Sequence, residues 1–186
     1  MAILRKIYAF LIDTLQSLLI AAAILLVIYQ ILFRPFEVKG DSMYPNFHNN
    51  SCVLTNIIAL RMESPKLGDV VVFKAPPDPE KAFIKRVIGV PGDSILIENG
   101  KVLLNGKELN ENAYLKSSIQ TRGGAKVREE ETITVPDNSF FVMGDNREFS
   151  SDSREWGFVP KDQITGFSFF VYWPISEMKV IQNPYK

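Results

Sequence analysis

Hydrophobic and polar positions divide this chain into two unlike parts. Between 10 and 33 the only charge is Asp13, and from 15 onward the apolar run is broken only by Gln16, Ser17 and Gln30. About 20 apolar residues rising 1.5 Å each span a hydrocarbon core of ~30 Å. A buried helix of a soluble domain would keep one polar face, and 18–29 has none. The pattern predicts a membrane span. A cleavable signal peptide has a shorter apolar region, about 7–15 residues, followed by small residues at the cut. Here Ala21-Ala22-Ala23 lies inside the run, and Phe33-Arg34-Pro35-Phe36 after it has no small-x-small pattern. The segment therefore reads as an uncleaved anchor. Arg5 and Lys6 favour a cytoplasmic N-terminus, but Arg34 and Lys39 flank the other end, so composition leaves the orientation open.

Beyond the anchor the pattern is β-rich. Phe36 and Val38 alternate with Glu37 and Lys39, a strand leading into the turn Gly40-Asp41-Ser42-Met43-Tyr44-Pro45. A second strand is expected over 51–55. Gly68-Asp69 opens Val70-Val71-Val72-Phe73, a continuous apolar run suited to a buried strand. Three prolines within 75–79 predict a loop, and 82–90 is again strand-like, ended by Pro91-Gly92-Asp93. Asn99-Gly100 and Asn105-Gly106 punctuate 95–97, 102–104 and Glu108-Leu109, a meander joined by type I′ turns. The polar stretch 114–131 reads as a mobile excursion without a site. Strands are expected at 139–143 and 167–173, the last closed by Pro174. The fold class is mainly β: one N-terminal transmembrane helix followed by an all-β domain.

At 186 residues the chain suits one domain with an appendage, or two small ones. Lys and Arg number 21 against 21 Asp and Glu, and no basic stripe appears, so nucleic acid is not an expected partner. Cys52 is the only cysteine. It can form no internal disulfide and build no zinc site, and beside Val53 and Leu54 it reads as a buried structural thiol.

The candidate chemistry begins at Ser42, a small hydroxyl on an irregular turn. Gly40 frees the backbone before it and Pro45 biases Tyr44 toward extended geometry. A plain Asp-Ser turn looks the same. A serine nucleophile needs a base. The one histidine, His48, lies in a polar, turn-prone run, and a triad would have to use it with Asp145 or Asp152 as orienter. The other candidate base is Lys85, provided burial lowers its pKa from about 10.4. It shares an apolar strand with Arg86, and alternation sends the two cations to opposite faces, one of them inward. An edge-strand lysine that blunts aggregation has the same surroundings. A third feature, 144–154, concentrates short hydrogen-bonding side chains, either to hold a buried lysine or as an Asx-rich loop with no catalytic duty.

Together these stretches resemble the bacterial type I signal peptidases, membrane-bound serine proteases that remove signal peptides from secreted proteins. The matching segments are Gly40-Asp41-Ser42-Met43-Tyr44-Pro45, Leu67-Gly68-Asp69-Val70-Val71-Val72-Phe73, and Phe83-Ile84-Lys85-Arg86-Val87-Ile88-Gly89-Val90-Pro91-Gly92-Asp93. The fourth is Gly144-Asp145-Asn146-Arg147 through Ser150, Asp152, Ser153 and Arg154 to Trp156-Gly157. They stand in the family's order and cover most of the chain beyond the anchor.

The resemblance implies Ser42 as nucleophile and Lys85 as general base, with Ser150 hydrogen-bonding the lysine amine. It implies Asp145 with Arg147, and Asp152 with Arg154, as structural polar pairs. Phe36, Val38, Met43, Phe83 and Ile84 match positions lining pockets for alanine-like side chains. The oxyanion hole should include the Ser42 backbone N–H. Some relatives carry a hydroxyl residue where this chain has Gly40, so the second donor is unassigned.

The implied fold is the β domain shared with self-cleaving repressors, with its active site near the outer membrane surface. Residues 1–9 would be cytoplasmic, 10–33 the anchor and 34–186 the extracytoplasmic peptidase domain, with a short accessory insertion at about 98–136. The expected partners are signal peptides of secreted preproteins, cut after small-x-small motifs, and the lipid bilayer of the plasma membrane. A serine–lysine mechanism needs no cofactor. A specialised peptidase for pilin or conjugation precursors matches the same residues. A membrane-anchored peptide-binding or assembly module without catalysis is the reading from a different class.

Overall fold

A computed structural model describes residues 1–186, with the side chains at 2, 28, 30 and 31 left aside. The chain divides into two compact units, Met1–Arg34 and Pro35–Lys186.

The first unit is α1, Ala2–Leu32. It starts well before 10 because Arg5, Lys6 and the apolar residues around them are adequate helix formers, with no glycine or proline among them. It stops at Leu32, where Phe33 turns extended at φ −129° and ψ 141°. Pro35 follows two residues later and disfavours helical geometry at Arg34. Phe33 is thus not the last anchor residue, as the hydropathy pattern suggests, but the first of a strand. The described side chains from Ile3 to Val27 are all exposed, and this 25-residue segment is long and apolar enough to cross a membrane. At 1.5 Å per residue it extends about 37 Å.

The second unit is mainly β. In chain order the strands are β1 (Phe33–Glu37, whose first two residues belong to the first unit), β2 (Cys52–Asn56), β3 (Val70–Ala75), β4 (Asp78–Gly89), β5 (Ser94–Glu98) and β6 (Lys101–Leu104). After them come β7 (Lys107–Glu108), β8 (Ile133–Thr134), β9 (Ser139–Met143), β10 (Val159–Pro160), β11 (Ile164–Trp173) and β12 (Lys179–Val180). Among the described residues they form a large sheet ordered β1-β2-β11-β3-β4-β9-β10, with β12 also on β11, and a small sheet ordered β7-β6-β5-β8.

The apolar run of β3 lies between β11 and β4, and Val70, Val71, Val72 and Phe73 are all buried. In β5, by contrast, burial alternates: Ile95 and Ile97 point into the core. Both Asn-Gly pairs have positive φ at both residues, 50° and 77° at 99–100 and 52° and 75° at 105–106. This is the backbone a two-residue type I′ hairpin requires. Ile88, Phe141 and Met143 of the large sheet meet Ile95, Ile97 and Val102 of the small one in a common core.

Two expectations fail. The proline-rich 75–79 is not an extended loop: only Pro76 and Pro77 turn the chain, and Asp78 already pairs with Ala75, with Pro79 inside β4. The stretch 114–131 is irregular but packed down, not a free excursion. Tyr114, Leu115 and Val127 are buried in the shared core and Thr121 is buried beneath it. Its polar composition hid apolar anchors spaced too irregularly to register as a helix or a strand.

Phe141 is fully buried where the two sheets meet. Phe141→Ala should therefore lower stability by about 3–5 kcal/mol, read from thermal unfolding of the full chain in detergent. A loss under about 1 kcal/mol, the range of a surface substitution, would contradict this core assignment.

Candidate active site

Ser42 lies on the turn that follows β1, and Lys85 points from β4. The turn is built locally: Gly40 takes φ +83°, its N–H donates to Asn49 Oδ1 at 2.8 Å, and Tyr44 N–H closes back on Asp41 O at 3.1 Å. Val38 and Met43 on either side are buried in an apolar cluster with Val53, Val72 and Ile84, which fixes the turn against the sheet. Lys85 is positioned by strand register, with Val71 of β3 directly opposite. Its Nζ lies 2.6 Å from Ser42 Oγ and 3.1 Å from Ile84 O, and the Phe83 ring centroid is 5.2 Å away. Lys85 is only 3% exposed.

Burial disfavours its ammonium form and brings its pKa down from 10.5 to about 8. The fields of Asp152 and Asp145 oppose that shift, and the field of Arg154 adds to it. The Ser42 backbone N–H donates to no group among the described residues, so it remains available to an incoming oxygen.

Alternation along β4 does separate Lys85 from Arg86, but neither faces solvent. Arg86 is equally buried on the opposite face. It grips Asp145 with two parallel bonds, Nε to Oδ1 at 2.8 Å and Nη2 to Oδ2 at 2.7 Å, and donates through Nη1 to Gly68 O at 3.0 Å. Its guanidinium stacks 4.2 Å from the Tyr114 ring centroid. Asn46 Nδ2 completes the carboxylate's shell, donating at 2.8 Å to Asp145 Oδ2 and to Tyr114 O.

The expected pairing of Asp145 with Arg147 is therefore corrected. Arg147 instead binds Glu111, and donates to Thr121 Oγ1 at 2.6 Å and Gly144 O at 3.1 Å. Asp145 is taken by Arg86 from β4 and Arg147 by Glu111, so each finds its partner outside the loop. The second pair does form. Arg154 holds Asp152 through Nε to Oδ1 and Nη2 to Oδ2, both at 2.8 Å, while Gly144 N–H donates to Asp152 Oδ2 at 3.0 Å. Burial alone would raise the Asp152 carboxyl. The Arg154 bonds and charge, with the Gly144 N–H, outweigh it and hold the carboxyl below its ordinary range.

Ser150 Oγ does not bond the lysine amine. It is buried without a hydrogen-bonded partner among the described residues, although it is near enough to Asp152 to help lower that carboxyl. Ser150 sits over Gly144, where a β-carbon would collide with both its side chain and the Ser42 carbonyl oxygen. Glycine at 144 thus lets the loop approach the nucleophile turn.

Asn146 stitches the two together, its N–H donating to Ser42 O and its Nδ2 to Asp41 O, each at 3.0 Å. The sequence reading missed Asn146, Asn46, Glu111 and the Arg86–Asp145 pair. The only available signal was that two adjacent cations on one apolar strand both need partners.

A cleft of about 210 Å³ runs between 36–42 and 82–85, lined by Phe36, Val38, Phe83 and Ile84 together with Ser42 and Lys85. Met43, expected in that lining, is fully buried in the core behind it. His48 is not placed to serve Ser42. Its Nδ1 lies 2.7 Å from Glu177 Oε2 without hydrogen-bond alignment, and its ring packs edge-on at 5.3 Å from Tyr44. Asp145 and Asp152, the carboxylates a triad would use, are both occupied by arginines. Among the described residues, no cluster of three His, Cys, Asp or Glu is assembled to hold a metal.

Residues 11–173 match the family described as signal peptidase, peptidase S26. The chain is 37% identical over 169 residues to signal peptidase I S of Bacillus subtilis (strain 168), covering 88% of this chain and 90% of that protein. It is 35% identical over 184 residues to signal peptidase IB of Staphylococcus aureus (strain MRSA252), covering 94% and 95%. Among solved structures, a signal peptidase I from Enterococcus faecalis V583 aligns to 56% of this chain and 97% of its own, with 26% identity and a TM-score of 0.47.

Asp145→Ala would leave Arg86 charged, buried and unpaired. The expected loss is about 3–5 kcal/mol of stability. The readout is thermal unfolding of the full chain, and an unchanged Tm would show that Arg86 does not depend on this carboxylate.

Proposed function

This chain belongs to the signal peptidase family, peptidase S26, and from that premise we propose that it cuts translocated preproteins by a Ser42–Lys85 mechanism after small-x-small motifs. Family membership sets aside the non-catalytic display module. The observation that carries the proposal is the 2.6 Å separation of Lys85 Nζ from Ser42 Oγ, with the amine buried and its pKa brought down to about 8.

In its neutral form the amine accepts the Ser42 hydroxyl proton as Oγ attacks the scissile carbonyl. The tetrahedral oxyanion forms at the free Ser42 N–H, with a second donor from backbone or water in place of a side chain at Gly40. Lys85, now an ammonium, passes its proton to the leaving amine as the carbon–nitrogen bond breaks and the acyl-enzyme forms. Neutral again, it deprotonates the water that hydrolyses the ester. The apolar walls of the cleft leave room for alanine-like side chains on the signal side of the cut. The helix α1 would anchor the chain in the plasma-membrane bilayer, with its N-terminus cytoplasmic and the β unit outside.

The pH dependence follows from the base. Lys85 is protonated and idle below about 8, so kcat/KM should climb as pH rises through that value and level off above it. With an Ala-x-Ala preprotein in detergent, Ser42→Ala and Lys85→Ala should each lower kcat by about 10³-fold or more while the chain stays folded by circular dichroism. His48→Ala should cut at close to the wild-type rate. A Lys85→Ala chain that cuts normally, or a profile centred at ~6.5 and abolished by His48→Ala, would overturn the mechanism.

A further inference from the structure

Phe149 has no part in the mechanism. It lines the same cleft as Ser42 and Lys85, together with Ser151, yet it is 76% exposed. Among the described residues it joins no apolar cluster and makes no ring contact. A single exposed aromatic on a loop is ordinary. This one differs in where it is held.

The two cleft walls, 36–42 and 82–85, each end at the reacting pair, where Lys85 Nζ meets Ser42 Oγ. The loop carrying Phe149 docks at that same end, through the two Asn146 bonds to Ser42 O and Asp41 O. Phe149 N–H donates to Asn146 O at 3.2 Å, and the next residue, Ser150, is wedged over Gly144. The backbone on both sides of the ring is therefore fixed. A peptide lying along the walls with its scissile carbonyl at Ser42 has its preceding residues over Phe36, Val38, Phe83 and Ile84. In that orientation the residues after the cut would leave past Ser42, the end at which Asn146 docks the loop that carries Phe149 and Ser151.

We infer that Phe149 determines specificity on the leaving side: its ring packs on the side chain of the first residue after the scissile bond and favours an apolar one there. The inference rests on the peptidase reading above. The test uses two series of matched preproteins in detergent. One series carries Leu or Gly directly after the cut. The other varies only the residue three before it.

Partial burial of one side chain on the ring predicts that the wild type prefers Leu over Gly by roughly fivefold to tenfold in kcat/KM. Phe149→Ala should bring that ratio close to one and Phe149→Tyr should keep it. The preference in the second series should be the same in all three proteins. Met62→Ala, an equally exposed apolar residue outside the cleft, should keep both preferences. An unchanged Leu-to-Gly ratio in Phe149→Ala, or an equal shift in both series, overturns the inference. A wild type that cuts no member of either series overturns the peptidase reading itself, and the role of Phe149 with it.

Discussion

Keeping one lysine amine out of water, within a hydrogen bond of a serine hydroxyl, is the constraint on which the site depends. Burial makes the ammonium form of Lys85 unfavourable, and the fields of Asp152 and Asp145 offset part of that effect. Each of those carboxylates is claimed by an arginine through two parallel bonds, Asp145 by Arg86 and Asp152 by Arg154. Both carboxylates still act on the lysine, and Arg154 opposes them directly as a like charge. The polar loop after β9 thus has an electrostatic role as well as a structural one.

The same loop solves a positioning problem. Lys85 is carried on a strand, where register leaves it little freedom, but Ser42 is carried on a turn. Turns need bracing to hold a reactive atom to a fraction of an ångström. The brace comes from Asn146, bonded to the Ser42 and Asp41 carbonyls, and from the absence of a side chain at Gly144. Behind it, Arg147 binds Glu111 and Thr121 from the irregular stretch between β7 and β8. That stretch, polar in composition and without regular structure, is in this way part of the scaffold of the site.

Much of this was legible in the sequence because its causes are local. An unbroken apolar run in 18–29, an unbroken valine run before Phe73, and two Asn-Gly pairs each restrict the backbone over a few residues. The helix, the buried strand and the two hairpins follow from them. The boundaries that moved did so for tertiary reasons. Pro79 is tolerated in β4 because the register with β3 shifts there, from Asp78 opposite Ala75 to Ala82 opposite Lys74, so no ladder bond is required of it. Residues 114–131 are held by a core shared between two sheets, not by any period of their own.

The site divides in the same way. By itself the sequence determined which residue types were present: a hydroxyl on a tight turn, two adjacent cations on an apolar strand, and a loop dense in Asp, Asn, Ser and Arg. It also determined, through alternation, that Lys85 and Arg86 face apart. Only the tertiary structure decided that both are buried, that Asp145 belongs to Arg86 and not to Arg147, that Ser150 rests on Gly144 and that Met43 lies behind the cleft. Periodicity acts over a few residues, whereas Arg86 and Asp145 are 59 apart in the chain. Which carboxylate neutralises which arginine depends on where the packed strands bring them, and a buried charge must take the partner within reach.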